Sequence, residues 1–170
     1  WPDVDEDISV AGLLAREAFE AVILDMQHGA IDFAGVTRAI PLVAAAGKPA
    51  LARIPVGEFA TASRLLDAGA VGVIAPMINT VEDARRFAAF TKFPPQGERS
   101  WGPHAALALT GLAPDAYLKG ANGFSISLAM IETREALGVI DAILAVDGID
   151  GVFIGPADLS IALSGGAAVD

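Results

Sequence analysis

Two hydrophobic periods alternate along this chain. Five stretches are continuously apolar: "FEAVILD", "PALARIP" (Pro49 to Pro55), "GAVGVIAP", "GFSISLAMIE" (Gly123 to Glu132) and "DGIDGVFIGP". The first, third and fifth share one pattern, in which a helix-like stretch leads to a small residue and Val. Ala21, Gly72 and Gly151 hold the matching places. Unbroken apolarity, rather than alternation, is what a parallel strand covered on both faces requires. Between these runs the period changes to that of a helix. Phe33, Val36, Ile40 and Val43 fall on one face, with Pro41 expected to kink or loosen the helix. Phe59, Ala62 and Leu66 mark a second helix, ending at Gly69. Thr80 starts a third, with Asp83 as its acidic capping partner and Val81, Ala84 and Phe87 or Ala88 on its apolar face. Leu137, Ile140 and Leu144 mark a fourth. The stretch from Thr91 to about Ala113, rich in Pro and Gly, is the one long connection, of the kind that is functional or mobile.

Strands alternating with helices give an α/β class with a parallel sheet. A doubly wound fold and a barrel both fit that order. No G-x-G-x-x-G follows the first strand, which weakens a dinucleotide-binding reading. Instead, residues capable of chemistry follow several strands: Asp25 and His28, Arg53, Glu132 and Asp158. A site drawn from many strand ends is the habit of the (β/α)8 TIM barrel. Such a barrel usually needs more residues than the 170 present. The expectation is therefore a single, partial TIM-barrel domain over residues 1–170. Its first strand, with Trp1 as a remnant, and its last two βα units are expected to be missing.

At 54% hydrophobic the chain can bury one sizeable core. Cysteine is absent, which excludes disulfides, thiolate nucleophiles and Cys-ligated metals and fits a reducing cytoplasm. The acidic start "WPDVDED" is unlike a signal peptide, and charges interrupt every apolar run before membrane-spanning length. A soluble, cytoplasmic protein with no membrane partner is expected. The net charge of −10 opposes nucleic-acid binding. A small anionic substrate would need local arginines or a metal to overcome that field.

Glu132 closes an apolar strand, and Thr133 is placed to cap the helix that follows. Alone, Glu132 is what a helix dipole favours, and Asp158 is equally a helix cap. On consecutive strand ends of a barrel the two converge, and uncompensated they would repel. A divalent cation removes the conflict. Hard oxygen donors, with remaining positions left to water and substrate, point to Mg²⁺ or Mn²⁺, with Co²⁺ tolerated; Zn²⁺ on two carboxylates alone would be atypical. Arg53, carried straight out of an apolar strand, is read as binding a carboxylate or a developing oxyanion in preference to a structural ion pair. Asp25 and His28, three residues apart after a strand, are read as an acid/base pair in which the acid orients the ring. Arg99, in the long connection, has two readings: reach toward the active site or toward a neighbouring subunit. His104 is left without a role. Metal, arginine and histidine together suit formation of an enolate beside a carboxylate. A lysine Schiff base is the competing route. Lys48 precedes its strand and Lys92 and Lys119 are assigned to helix ends, which disfavours it.

On "VILDMQHG", "LARIP", "LLDAGAVGVIAPM", "FPPQGERSWGP", "MIETREAL" and "GIDGVFIGPADLS", in this order, the chain resembles the HpcH/HpaI family of metal-dependent 2-oxo-acid aldolases from about Asp7 through Ser160. The best-known activity of that family is 4-hydroxy-2-oxoheptanedioate aldolase. The resemblance implies a carbon–carbon lyase acting on a 2-oxo acid and an aldehyde, in aromatic-compound catabolism, as a homo-oligomer (trimer or hexamer). It implies Glu132 and Asp158 as metal ligands, Arg53 on the oxo-acid, His28 with Asp25 as acid/base pair, and the N–H groups of Ala157 and Asp158 on the pyruvate carboxylate. Two departures stand out: Met130 replaces a Gln found in some relatives, and "GPHAA" lacks an arginine often found after "GP". Acyl-CoA lyases and phosphoenolpyruvate-using enzymes are alternatives within the superfamily, the former disfavoured by the lack of a long basic tract. A non-catalytic anion-binding or assembly subunit is the alternative of another class.

Overall fold

The computed structural model describes residues 4–169, and side chains from residue 8 onward. Five short strands form its sheet: β1 (Val22–Asp25), β2 (Ala50–Arg53), β3 (Gly72–Ala75), β4 (Ile126–Ile131) and β5 (Gly151–Ile154). All pair in parallel, in the order β1-β2-β3-β4-β5. A doubly wound sheet reverses its strand order at a switch point, whereas a barrel adds each strand beside the last. The sequential order is that of a TIM barrel, of which these are five strands. Trp1, expected as a strand remnant, lies outside the described residues.

Helix α1 (Val4–Leu14) precedes β1, and α2 (Phe33–Ala45), α3 (Phe59–Asp67) and α4 (Val81–Thr91) follow β1, β2 and β3. The main core lies between these helices and one face of the sheet. Val22, Leu24, Ala50, Ala52, Val73, Ala75, Ala129 and Ile131 come from the strands, and Val36, Ile40, Leu65, Leu66 and Phe87 from the helices. Alternate strand residues, among them Leu51, Arg53, Ile74 and Met130, therefore belong to the other face. The helix starts are fixed by side chains. Asp32 Oδ1 accepts from Gly35 N–H at 2.7 Å, and Thr80 and Asp83 form the expected capping box. Helix α2 runs on through Pro41, which lies on its exposed side. No helix among the described residues is long and apolar enough to cross a membrane.

Four expectations are corrected. The helix assigned to Leu137, Ile140 and Leu144 is two short ones, α7 (Arg134–Gly138) and α8 (Ile140–Leu144), which follow β4. The break at Val139 shifts the phase, so Ala136 and Ile143 are buried while Leu137 and Leu144 are exposed. The long connection contains α5 (His104–Thr110) and leads into α6 (Pro114–Phe124). These rest on a small second core of Phe93, Ala106, Tyr117 and Ala121, extended by edge contacts from Trp101 to Tyr117 and from Tyr117 to Phe124. Lys119 lies within α6, not at a helix end. Lys92 does end α4, where it is fully buried, its Nζ bonded to Asp150 Oδ2 at 2.7 Å and to two backbone carbonyls. Arg99 is bound to Asp67, the last residue of α3, at 2.7 Å and stacks on Phe93. That is the end of α3 remote from the C-terminal ends of the strands, so Arg99 does not reach the candidate site.

Candidate active site

Asp25 and Arg53 are the last residues of β1 and β2, and Glu132 comes directly after β4. Asp158 is the third residue of α9 (Pro156–Ser164), the helix that follows β5. Because every strand runs the same way, all four arrive at one end of the sheet. Asp25 and Arg53 sit on paired strands in register and form a two-pronged ion pair: Arg53 Nε donates to Oδ1 at 2.7 Å and Nη2 donates to Oδ2. Asp25 Oδ1 also accepts from Gln27 N–H at 3.0 Å and His28 N–H at 3.4 Å. The Arg53 bond is the main cause that holds the Asp25 carboxyl below its ordinary value, against partial burial. In turn Asp25, and then the charges of Glu132 and Asp158, stabilise the guanidinium. The remaining nitrogen, Nη1, lies 4.0 Å from Met130 Sδ. The turn closes tightly: a Cβ on Gly29 would sit 2.2 Å from Asp25 O.

Glu132 is 1% exposed, and among the described residues no basic side chain forms an ion pair with it, which is unusual for a buried carboxylate. Its Oε2 accepts from Met77 N–H at 2.8 Å. Burial is the largest cause that raises its carboxyl above the ordinary range; the Met77 bond opposes it, and the charge of Asp158 adds to it. On the far side Gly155 closes in, where a Cβ would stand 2.7 Å from Glu132 Cγ and 2.8 Å from Oε1. Thr133 caps α7, accepting from Ala136 N–H at 3.1 Å, and donates to Asn79 Oδ1 at 2.7 Å. Asp158 does not cap α9, whose N-cap is Gly155 without a side-chain bond. The first bond of that helix runs from Leu159 N–H to Gly155 O. The N–H groups of Ala157 and Asp158 thus emerge from its N-terminus, a place that attracts anions.

The donor set fits a hard divalent cation. Two carboxylates face one another, one of them buried, in an arrangement that penalises double ionisation and that a cation would relieve. Gly155 lies so close to Glu132 that any side chain there would collide with the carboxylate and with Met130. Among the described residues no group of three or more acids and histidines gathers as a metal cluster, so further positions would fall to water and substrate.

The expected contact between Asp25 and the His28 ring is not formed: both Asp25 oxygens serve Arg53, and His28 is reached only at its backbone. The His28 side chain is exposed, and among the described residues no side chain is hydrogen-bonded to its ring. The ion-pair and anion-binding readings of Arg53 are therefore compatible, since the pair leaves Nη1 uncommitted to Asp25. His104 opens α5 and is exposed. Two contributors were missed. Gly155 had a signal, a glycine ending a strand before a helix, but Met77 acts through its main chain and had none.

The model of HpcH/HpaI aldolase/citrate lyase matches residues 6–167. The chain belongs to that family. It is 45% identical over 160 residues to a hydroxypyruvate/pyruvate aldolase of Rhizorhabdus wittichii, covering 94% of this chain and 62% of the relative. It is 35% identical over 152 residues to a 4-hydroxy-2-oxovalerate aldolase of Novosphingobium aromaticivorans, covering 89% and 57%. The crystal structure of an HpcH/HpaI aldolase from Desulfitobacterium hafniense superposes with a TM-score of 0.84 at 32% identity, covering 93% of this chain and 61% of that one. The chain thus spans about three-fifths of the length of the curated relatives it matches.

Proposed function

We propose that this chain carries the metal- and oxo-acid-binding part of a carbon–carbon lyase, an aldolase that cleaves 4-hydroxy-2-oxo acids to pyruvate and an aldehyde and runs in reverse. The observation that carries this reading is the buried Glu132 carboxyl beside Asp158, with Arg53 in the field of both. The two relatives' names, both aldolases of short oxo-acids, support it and differ in substrate, which leaves the aldehyde open.

Glu132 and Asp158 would hold the cation, Mg²⁺ or Mn²⁺ by donor type, with Co²⁺ accepted by the same oxygens. Bound there, it supplies Lewis-acid polarisation of the oxo-acid. The remaining work belongs to the chain. The N–H groups of Ala157 and Asp158 receive the substrate carboxylate. Arg53, its plane fixed by Asp25, donates from Nη1 to the C2 oxygen, where negative charge grows as the C3–C4 bond breaks. His28 takes the C4 hydroxyl proton as the aldehyde departs and returns it in synthesis. The bond's electron pair passes toward C2; C3 then takes a proton from solvent to complete pyruvate, and the proton on His28 returns to solvent. A Schiff base has no good candidate, since the Lys92 ammonium is committed to Asp150 at the other end of the sheet.

Given a 4-hydroxy-2-oxo acid and Mn²⁺, the protein is expected to release pyruvate, followed through lactate dehydrogenase as loss of NADH absorbance. Glu132→Ala should release none. Undiminished release by that variant, or none by the wild type with Mg²⁺, Mn²⁺ or Co²⁺, contradicts the proposal.

A further inference from the structure

The turn after β3, Pro76-Met77-Ile78-Asn79, adopts a backbone that its sequence resists. Met77 has φ +56°, the one positive φ at a non-glycine position among the described residues. An L side chain there crowds its own backbone, and such a conformation persists only where its surroundings over-determine it. Those surroundings are the end of β4. Met77 N–H donates to Glu132 Oε2 at 2.8 Å, Ile78 N–H to Met130 O at 3.3 Å, and Thr133 Oγ1 to Asn79 Oδ1 at 2.7 Å. Three successive turn residues are therefore tied to Glu132 and to residues flanking it. On the opposite side, the backbone of Gly155 approaches Oε1 so closely that a Cβ there would stand at 2.8 Å. One carboxylate oxygen is thus held by a main-chain N–H, and Gly155, whose own N–H goes to Ile131 O, leaves no space for a side chain beside the other.

We propose that Met77 is a positioning residue for Glu132. Its left-handed backbone turns the N–H onto Oε2, so that Oε1, which faces Gly155, is the oxygen without a main-chain hydrogen bond among the described residues. The main chain performs this role, and the thioether does not. The grip on Glu132 is a property of the chain alone; its consequence for a cation rests on the aldolase reading.

The experiment has two arms, chosen to separate those parts. Without metal, amide hydrogen exchange of the intact protein is followed by NMR at Met77. Slow exchange is expected in the wild type, and exchange about 5- to 10-fold faster in Glu132→Ala, the loss of one hydrogen bond. Exchange at Met77 that is fast in the wild type, or unchanged in the variant, overturns the proposal whatever the metal does. In the second arm, free Mn²⁺ is titrated by electron paramagnetic resonance. Met77→Val, whose branched Cβ resists positive φ, is expected to weaken Mn²⁺ binding about 10- to 100-fold. Met77→Gly, which keeps the N–H and relaxes the backbone, should retain wild-type affinity. Equal affinity in all three proteins overturns the positioning role. No uptake by the wild type counts against the aldolase reading instead, and the exchange arm still decides the grip on Glu132.

Discussion

Asp25 commits both carboxylate oxygens to Arg53, so its work is to hold a guanidinium in one plane, which lysine could not replace. Glu132 shows the opposite electrostatics. Its carboxyl is held above the ordinary 4.5, so between 4.5 and the raised value the unfolded chain releases a proton that the folded chain keeps. Without metal, stability therefore falls as pH rises through that window and stays lowered above it. For Asp25, lowered from 3.8, the sign reverses: its stabilisation is present above 3.8 and is lost as pH falls through the lowered value. Glu132→Gln keeps an acceptor for Met77 N–H and removes the charge. At pH 7 without divalent cations it is expected to exceed the wild type in urea-denaturation stability, by about 1.4 kcal/mol per unit of pKa elevation. Near pH 4 the difference should close. A variant less stable than the wild type at pH 7 would show that Glu132 carries no such penalty.

At the scale of elements, the helices that cover the sheet are positioned by a few large side chains. Phe87 of α4 is fully buried, and its ring centre lies 5.7 Å from that of Phe59 in α3. Phe87→Ala is expected to cost about 3–5 kcal/mol in denaturant unfolding; a loss below 1 kcal/mol would mean that the α3–α4 seam collapses around the void. This seam was legible in the sequence because α3 and α4 are uninterrupted and carry apolar residues at one period. The α7–α8 segment was not, because a break at Val139 resets the phase and puts Leu137 and Leu144 outside. Helices α5 and α6 escaped notice because they rest on a separate cluster around Tyr117, and Pro and Gly obscured their period. The small α1 stripe of Ile8 and Ala11 was there to be read; it lies next to an acidic run that hides it.

Over the whole molecule, sequential parallel strands carry each chemically capable residue to the same end of the sheet. That is why Asp25, Arg53, Glu132 and Asp158 could be picked out from strand ends alone. What could not be read were contacts that pass through the main chain, such as Met77 N–H on Glu132, and the choice of Arg53 over the His28 ring as the partner of Asp25. Both depend on three-dimensional register, not on residue type. The chain's charge of −10 would repel an anionic 2-oxo acid at long range, so the proposed function requires this one end, where Arg53, the α9 N-terminus and a cation held by two carboxylates would reverse the field. Exchange of the pyruvate methyl protons in D₂O, read by mass spectrometry, tests that claim without knowledge of the aldehyde. The account predicts deuterium uptake that requires Mg²⁺, Mn²⁺ or Co²⁺ and disappears in Glu132→Ala; no uptake with any of the three, or full uptake in that variant, would contradict it.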